Sequence, residues 1–488
     1  MKLASAQTTS SHGQDALATV AGLRKMPSPG SNDPRIDQAE VVAQASLGNF
    51  TQEGVAAART AGKAQALGAR LLTANARHRQ CWALHRLGQE QEAHAACEEA
   101  KRIFIEARDR VSVASLLVTM GSVLHEEGDL AAARSNYEDA IPVYRAVGAE
   151  GGLATALNNL AIVLRNQGDY TAARRRYEES VSITRNIGDK DGLALALGNL
   201  GALLVHEGDL KHGSQTFHEL IDACREIGSK PRIALELDNY GQTIYLQGDL
   251  VGAQKALDEA RALDTESGEK RQLGYHLAAL GDLFETEDKL PEARQMREAA
   301  LKIRTELGDQ GDVADALVAL GQSSMEEGHP REALASLGNA VEQLDKLKFV
   351  DDEVTAYTVL SRALIQASDA AAAAKAIDKA TAIESKSHDR GVHFAFAVAD
   401  ARVRAANGKS GEAIDILRTT LKQVKKDGFA GLEFEARLAL AEIESESSKP
   451  TAIAGLKALE QEARQRGYLL IAGKAAALSA RDIARHSM

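Results

Sequence analysis

A chain of 488 residues with 44% hydrophobic and 26% charged residues has the make-up of a folded protein, and 4% aromatic content is too little for one built of strands. The net charge of -11 and a pI near 5.7 argue against a general phosphate-backbone binder, which needs a basic surface, so no nucleic-acid partner is expected. No window approaches 18 uncharged apolar residues, so no membrane partner is expected either.

Residues 1–35, with Met26-Pro27-Ser28-Pro29-Gly30-Ser31, read as a polar lead-in or interdomain linker. This stretch lacks an apolar run of signal-peptide length. With three cysteines, Cys81, Cys97 and Cys224, an odd number in a long chain, that points to a reducing, cytoplasmic setting. The cysteines are expected as small buried hydrophobes rather than a disulfide framework, Cys81 and Cys97 touching across one hairpin.

From residue 36 onward the chain repeats itself. LNNLAIVLRNQGDYTAARRRYEES at 157–180 returns forty residues later as LGNLGALLVHEGDLKHGSQTFHEL. Stepping by forty from Gly168 reaches Gly48, Gly88, Gly128, Gly208, Gly248, Gly328 and Gly408, with Asp288, Ser368 and Ser448 at the remaining steps. A second comb, Gly148, Gly188, Gly228, Gly268 and Gly308, with Gly428 further on, lies twenty residues out of phase. Between the marks apolar residues recur at helical spacing, as in Leu157, Leu160 and Leu164, then Ala173, Tyr177 and Val181. Each repeat is therefore a pair of helices. The Gly-Asp turn combines a residue that tolerates the left-handed conformation with a cap for the next helix.

A small residue stands seven positions before each such turn, at Gly121, Ala161, Gly201, Gly241, Gly281 and Gly321, and another five after it, at Ala133, Ala173, Gly213, Ala253, Ala293 and Ala333. Glycine inside a helix costs roughly 0.5–1 kcal/mol against alanine, so its recurrence implies close helix crossing. Tyr137, Tyr177 and Phe217 fill the space around the crossings.

The pattern Leu117-x-x-Met120-Gly121-x-x-Leu124, then Ala133-x-x-x-Tyr137, resembles the tetratricopeptide repeat, W-x-x-L-G-x-x-Y then A-x-x-x-F then P. Leucine stands for the tryptophan, no proline closes the unit, and the period is 40 rather than 34. This longer variety is similar to the repeats of kinesin light chains and of bacterial signalling regulators. The resemblance implies an all-α fold, a right-handed α-solenoid or superhelix of about eleven helix-turn-helix repeats. It would span residues 36–466, best formed over 110–347. Residues 467–488 read as a terminal helix capping the exposed apolar end of the stack.

No catalytic constellation, phosphate loop or paired C-x-x-C occurs, and His206, His212 and His218 have no common metal-ligand spacing, so neither enzyme activity, a cofactor nor a metal is expected. What the resemblance does imply is a concave groove lined by the first helix of each hairpin. Asn159, Asn199 and Asn239, with Asn158 beside the first, form a ladder there, and asparagine can donate to and accept from a bound backbone. The other reading is that these asparagines bond across neighbouring first helices and serve only the stack. Further groove positions are His125, Arg165, Asn166, Asp238, Gln242, Tyr245, Asp282, Glu285 and Asp315. The stretch from Asp238 to Asp315 is mostly acidic and suits a partner with a basic segment. The function implied is a non-catalytic scaffold that binds a partner peptide or helix. The alternative is the sensory or regulatory region of a larger bacterial signalling protein, such as a Ser/Thr kinase, cyclase or transcriptional regulator, whose effector lies outside this chain.

Overall fold

The computed structural model describes residues 13–445 and 450–486, which form 24 α-helices and one short 3-10 turn with no strand among them. Residues 1–12 of the expected lead-in, Ser448 of the forty-residue register and 487–488 of the terminal helix lie outside the described residues. After α1 (Gly13–Leu23) come eleven hairpins. The first four are α2 (Pro34–Ser46) with α3 (Phe50–Ala66), α4 (Arg70–Arg86) with α5 (Glu90–Glu106), α6 (Arg110–Glu126) with α7 (Leu130–Val147), and α8 (Glu150–Asn166) with α9 (Tyr170–Ile187). Next are α10 (Lys190–His206) with α11 (Leu210–Ile227), α12 (Lys230–Gln247) with α13 (Leu250–Ser267), and α14 (Lys270–Thr286) with α15 (Leu290–Leu307). Then follow α16 (Gln310–Glu326) with α17 (Pro330–Leu347), α18 (Val350–Gln366) with α19 (Ala370–Glu384), α20 (Arg390–Ala406) with α21 (Ser410–Asp427), and α22 (Ala430–Ser445) with α23 (Pro450–Gln465). A last helix, α24 (Leu469–His486), packs on α23. The chain divides into two compact units, Met1–Gly192 and Leu193–Met488, and each is an α-solenoid of antiparallel hairpins.

The turns follow the chemistry expected of them. Gly128 and Gly168 adopt φ of +86° and +81°, and Asp129 and Asp169 then accept hydrogen bonds from Ala132 and Ala172 N–H at 3.0 and 3.1 Å. Where the register lacks glycine the backbone keeps the same conformation, at Asp288 (φ +61°) and Ser368 (φ +62°). The helix crossings are as close as the small residues imply. A Cβ on Gly121 would lie 2.8 Å from the Tyr137 ring, and one on Gly321 would lie 2.6 Å from Leu337 Cγ. A methyl group does not fit at either contact.

Two expectations need correction. The lead-in is not a linker from Gly13 onward, because Ala16, Val20 and Leu23 form an apolar stripe and Val20 packs with Ile36 and Ala39. Cys81 and Cys97 do meet across their hairpin, but as a disulfide with 5.3 Å between Cα atoms, while Cys224 is buried. They occupy the positions of closest helix approach, which brings two Cα atoms into bonding range.

In the second unit the chain returns on itself. Phe434, Leu438, Leu456, Leu459, Tyr468 and Ile471 from α22–α24 form one buried cluster with Ile244, Leu257, Leu280 and Leu283 from α12–α14. The Phe434 and Tyr468 rings sit 4.8 Å apart. Arg466 donates to the carbonyl of Gln247 at 3.5 Å, and Lys474 pairs with the buried Glu326 at 2.5 Å. Leu210 of α11 is likewise packed with Phe394, Val424 and Phe429. The terminal helix thus caps the last hairpin and also covers first helices about two hundred residues upstream.

Candidate functional site

In the first unit the first helices α4, α6 and α8 line a hollow of about 640 Å³. Its walls repeat at the forty-residue step: Asn75, Ser115 and Thr155 in one row, then Arg79, Thr119 and Asn159 in the next, with Trp82 and Ser122 beyond. Because 40 residues carry the chain from one first helix to the same register of the next, each row runs across the stack as a line of polar groups. Trp82, the chain's one tryptophan, is half-buried there. Burial, reinforced by the adjacent Arg79, pushes His78 down to about 4, so its ring is neutral and bonds Thr119 Oγ1 at 2.7 Å. The Gln38 carbonyl oxygen at the hollow's edge is buried with no hydrogen-bond partner among the described residues. The surface therefore presents amides and hydroxyls of both polarities around an indole and one guanidinium.

Of the asparagines, Asn159 lies on this hollow, and both readings of it meet there. Its Nδ2 donates to Ser122 Oγ on the neighbouring first helix at 3.4 Å, and its Oδ1 accepts from Asn158 at 3.3 Å. Asn158 is itself buried. Asn166 is exposed and bonds the His125 ring at 2.9 Å, with Arg165 half-buried beside it. Sequence reasoning missed Gln38, Asn75, Arg79 and Trp82, although stepping back by forty from Asn159 through Thr119 reaches Arg79 directly.

One cluster here has the look of a cation site. A nitrogen of His85 and carboxylate oxygens of Glu90 and Glu127 all lie within 4.8 Å of one another. Its members are engaged in ion pairs: His85 with Glu90 at 2.9 Å and Glu126 at 3.0 Å, and Glu127 with His94 at 3.1 Å. Burial works against the His85 charge, but the two carboxylates hold its ring above the ordinary histidine value.

In the second unit most of the expected groove residues are engaged within the protein. Asn199 is half-buried on α10. Asn239 donates to Glu236 at 3.1 Å within its own helix, and the exposed Gln242 donates to Asp238 at 2.6 Å. Asp238 is no groove residue at all: it is 4% exposed and lies 3.0 Å from the fully buried His276, whose other nitrogen is 2.6 Å from Asp264. Tyr245 sits under the returning helices, its hydroxyl bonded to Thr286 at 2.8 Å, and burial raises it well above the usual tyrosine value.

The acidic stretch is also neutralised from within. At position 297, where neighbouring repeats place Leu257 and Leu337, the chain carries a buried arginine. Its guanidinium reaches Asp282 at 2.6 Å, Glu285 and Ser323. Glu285 accepts from Gln322 as well. Asp315 is pushed up to about 7, chiefly by burial and then by the neighbouring Asp352. The carboxylates expected to draw a basic segment are thus engaged with internal cations or masked by burial.

Among the described residues no helix is long and apolar enough to cross a membrane. No curated protein sequence matches the chain. Of solved structures, a signal transduction ATPase with a tetratricopeptide repeat sensor from Pyrococcus horikoshii is similar at 13% identity. That match covers 74% of this chain and 54% of the other, with a TM-score of 0.50. Aspartyl phosphate phosphatase F from Bacillus subtilis is similar at 12% identity, over 70% of this chain and 91% of the other, with a TM-score of 0.48. The first of these likenesses concerns the fold alone. The tetratricopeptide repeat family's sequence profile matches residues 152–226, two successive hairpins of the forty-residue series. With antiparallel helix pairs recurring at the same step among the described residues, the chain is a tetratricopeptide-repeat protein.

Proposed function

We propose that the protein is a non-catalytic interaction scaffold whose first unit holds an extended segment of a partner protein along α4, α6 and α8. The observation that carries this reading is the uncovered hollow around Trp82, crossed by rows of side-chain amides and hydroxyls at the repeat step. Asn75, Asn159 and Thr155 can bond a partner's backbone regardless of its side chains, while Trp82 supplies flat apolar area. Arg79 adds one exposed cation, which favours a segment with an acidic residue over a basic one.

The test compares partner capture by wild type with a triple variant, Asn75→Ala, Arg79→Ala and Asn159→Ala. Trp82 fluorescence and helical content serve as checks of folding. The triple variant is expected to lose its partners, whereas Asn239→Ala in the second unit keeps them. Equal capture by the folded triple variant would refute the groove.

A further inference from the structure

The return of α22–α24 leaves a partly enclosed cavity of about 360 Å³ in the second unit, within the range of small-molecule sites. Much of its wall is apolar, from Val359 on α18, Val392 and Val398 on α20, Leu432 on α22, and Leu470 and Ile471 on α24. Most polar groups on that wall, such as Tyr245, Thr286, Gln322, Thr355 and Arg402, are satisfied within the protein. The carboxylates are all committed: Glu435 to Arg402 at 3.1 Å, Glu326 to Lys474 at 2.5 Å, and Glu285 to Arg297 and Gln322.

Two hydroxyls are not, and one guanidinium is only loosely held. Thr358 is 4% exposed and Tyr468 2%, and the hydroxyl oxygen of each is buried on this cavity with no hydrogen-bond partner among the described residues. Arg362, one turn beyond Thr358 on the same face of α18, makes only a long contact to Glu326, at 3.7 Å on the oxygen that Lys474 does not hold, and its charge also acts on Glu435. A guanidinium has five N–H donors, and buried hydroxyls without partners are rare in folded proteins. Uncommitted donors beside an apolar wall call for a ligand with an acceptor-rich head and an apolar body. An amine would instead need an unpaired carboxylate, and the cavity offers none.

We infer that the cavity is a binding site for a small amphipathic monocarboxylate, its anionic head taken by Arg362 and Thr358 and its apolar body lying along α20 and α24. This site is separate from the hollow in the first unit, so either assignment can fail without the other.

The full chain is titrated with decanoate, decanol and decylamine below their micellar limits, followed by calorimetry and thermal shift. Decanoate is expected to bind and raise the melting temperature, and the alcohol and amine to bind roughly tenfold more weakly or worse. Arg362→Gln is expected to weaken decanoate by about tenfold or more, and Thr358→Val, which keeps the shape and removes the hydroxyl, by about fivefold. Should Arg362→Gln not fold, Thr358→Val and Leu432→Trp, which fills the cavity, decide the matter. Absence of decanoate binding, equal binding of the three probes, or decanoate affinity unchanged in the folded variants each overturns the inference. So does binding that is lost in Trp82→Phe but kept in Arg362→Gln, because it would place the ligand in the first unit.

Discussion

The two units are written in the same repeat code and use their first helices in opposite ways. In the first unit, polar rows at 75–155 and 79–159 face a hollow that is lined, among the described residues, by first helices alone. In the second, the equivalent helices α12 and α14 are covered by α22–α24, and Tyr245, Glu285 and Thr286 become part of the wall of a partly enclosed cavity. The lesson is that the role of a groove position depends on what the chain does afterwards. Local spacing places a residue on the inner face, but only the later hairpins decide whether that face meets solvent or protein.

The comparison can be broken most forcefully at Phe434, which is fully buried against Tyr468 where the chain returns. Phe434→Ala is expected to cost about 3–5 kcal/mol, confined to the second unit. In urea, circular dichroism would then show an early transition that Trp82 fluorescence, which reports the first unit, does not. A single coincident transition by both probes would mean that the units do not melt independently.

Arg297 sharpens the contrast at its charged centre. Arg297→Leu is expected to lose roughly 3 kcal/mol because Glu285 is left buried without its cation. Adding Glu285→Gln should recover much of that loss, since leucine already fills this register at 257 and 337. Chemical denaturation of the single and double variants decides it, and a double variant no better than the single would show that the arginine's packing matters more than its charge.

The smallest effect is a pH signature. Asp315 titrates at about 7 when folded and at its ordinary 3.8 when unfolded, so its protonated form favours the native state. Its contribution is full below the unfolded value and is lost as pH rises through the folded one. Asp315→Asn should therefore match wild type near the acid end of that window and exceed it at pH 8, by on the order of 1–2 kcal/mol. Thermal melts across the range would show the gap opening; a constant gap would place the titration elsewhere.

What could be read from the sequence was what each repeat does with its neighbours. Gly128 and Asp129 end one helix and cap the next through atoms a few residues apart, and Gly121 meets Tyr137 within one hairpin. Both contacts recur every forty residues and leave a periodic trace. The contact between Arg466 and Gln247 occurs once, across 219 positions, and leaves none. The arginine at 297 was equally hidden, because its partners Asp282 and Glu285 looked like solvent-facing groove acids. In the first unit the hollow was missed for another reason. The polar rows pass through Arg79 and Trp82, in hairpins whose match to the repeat is weaker than that of the middle of the chain.

The inward return of α22–α24 also changes how the second unit comes apart. A linear stack is coupled only between adjacent hairpins, and its ends can fray one repeat at a time. Joining the last helices to α12 and α14 gives the C-terminal end of this unit a second set of contacts, so opening it breaks more than the neighbouring interface. Slow-exchanging amides should accordingly be spread through the second unit, whereas in the first they would thin toward α1.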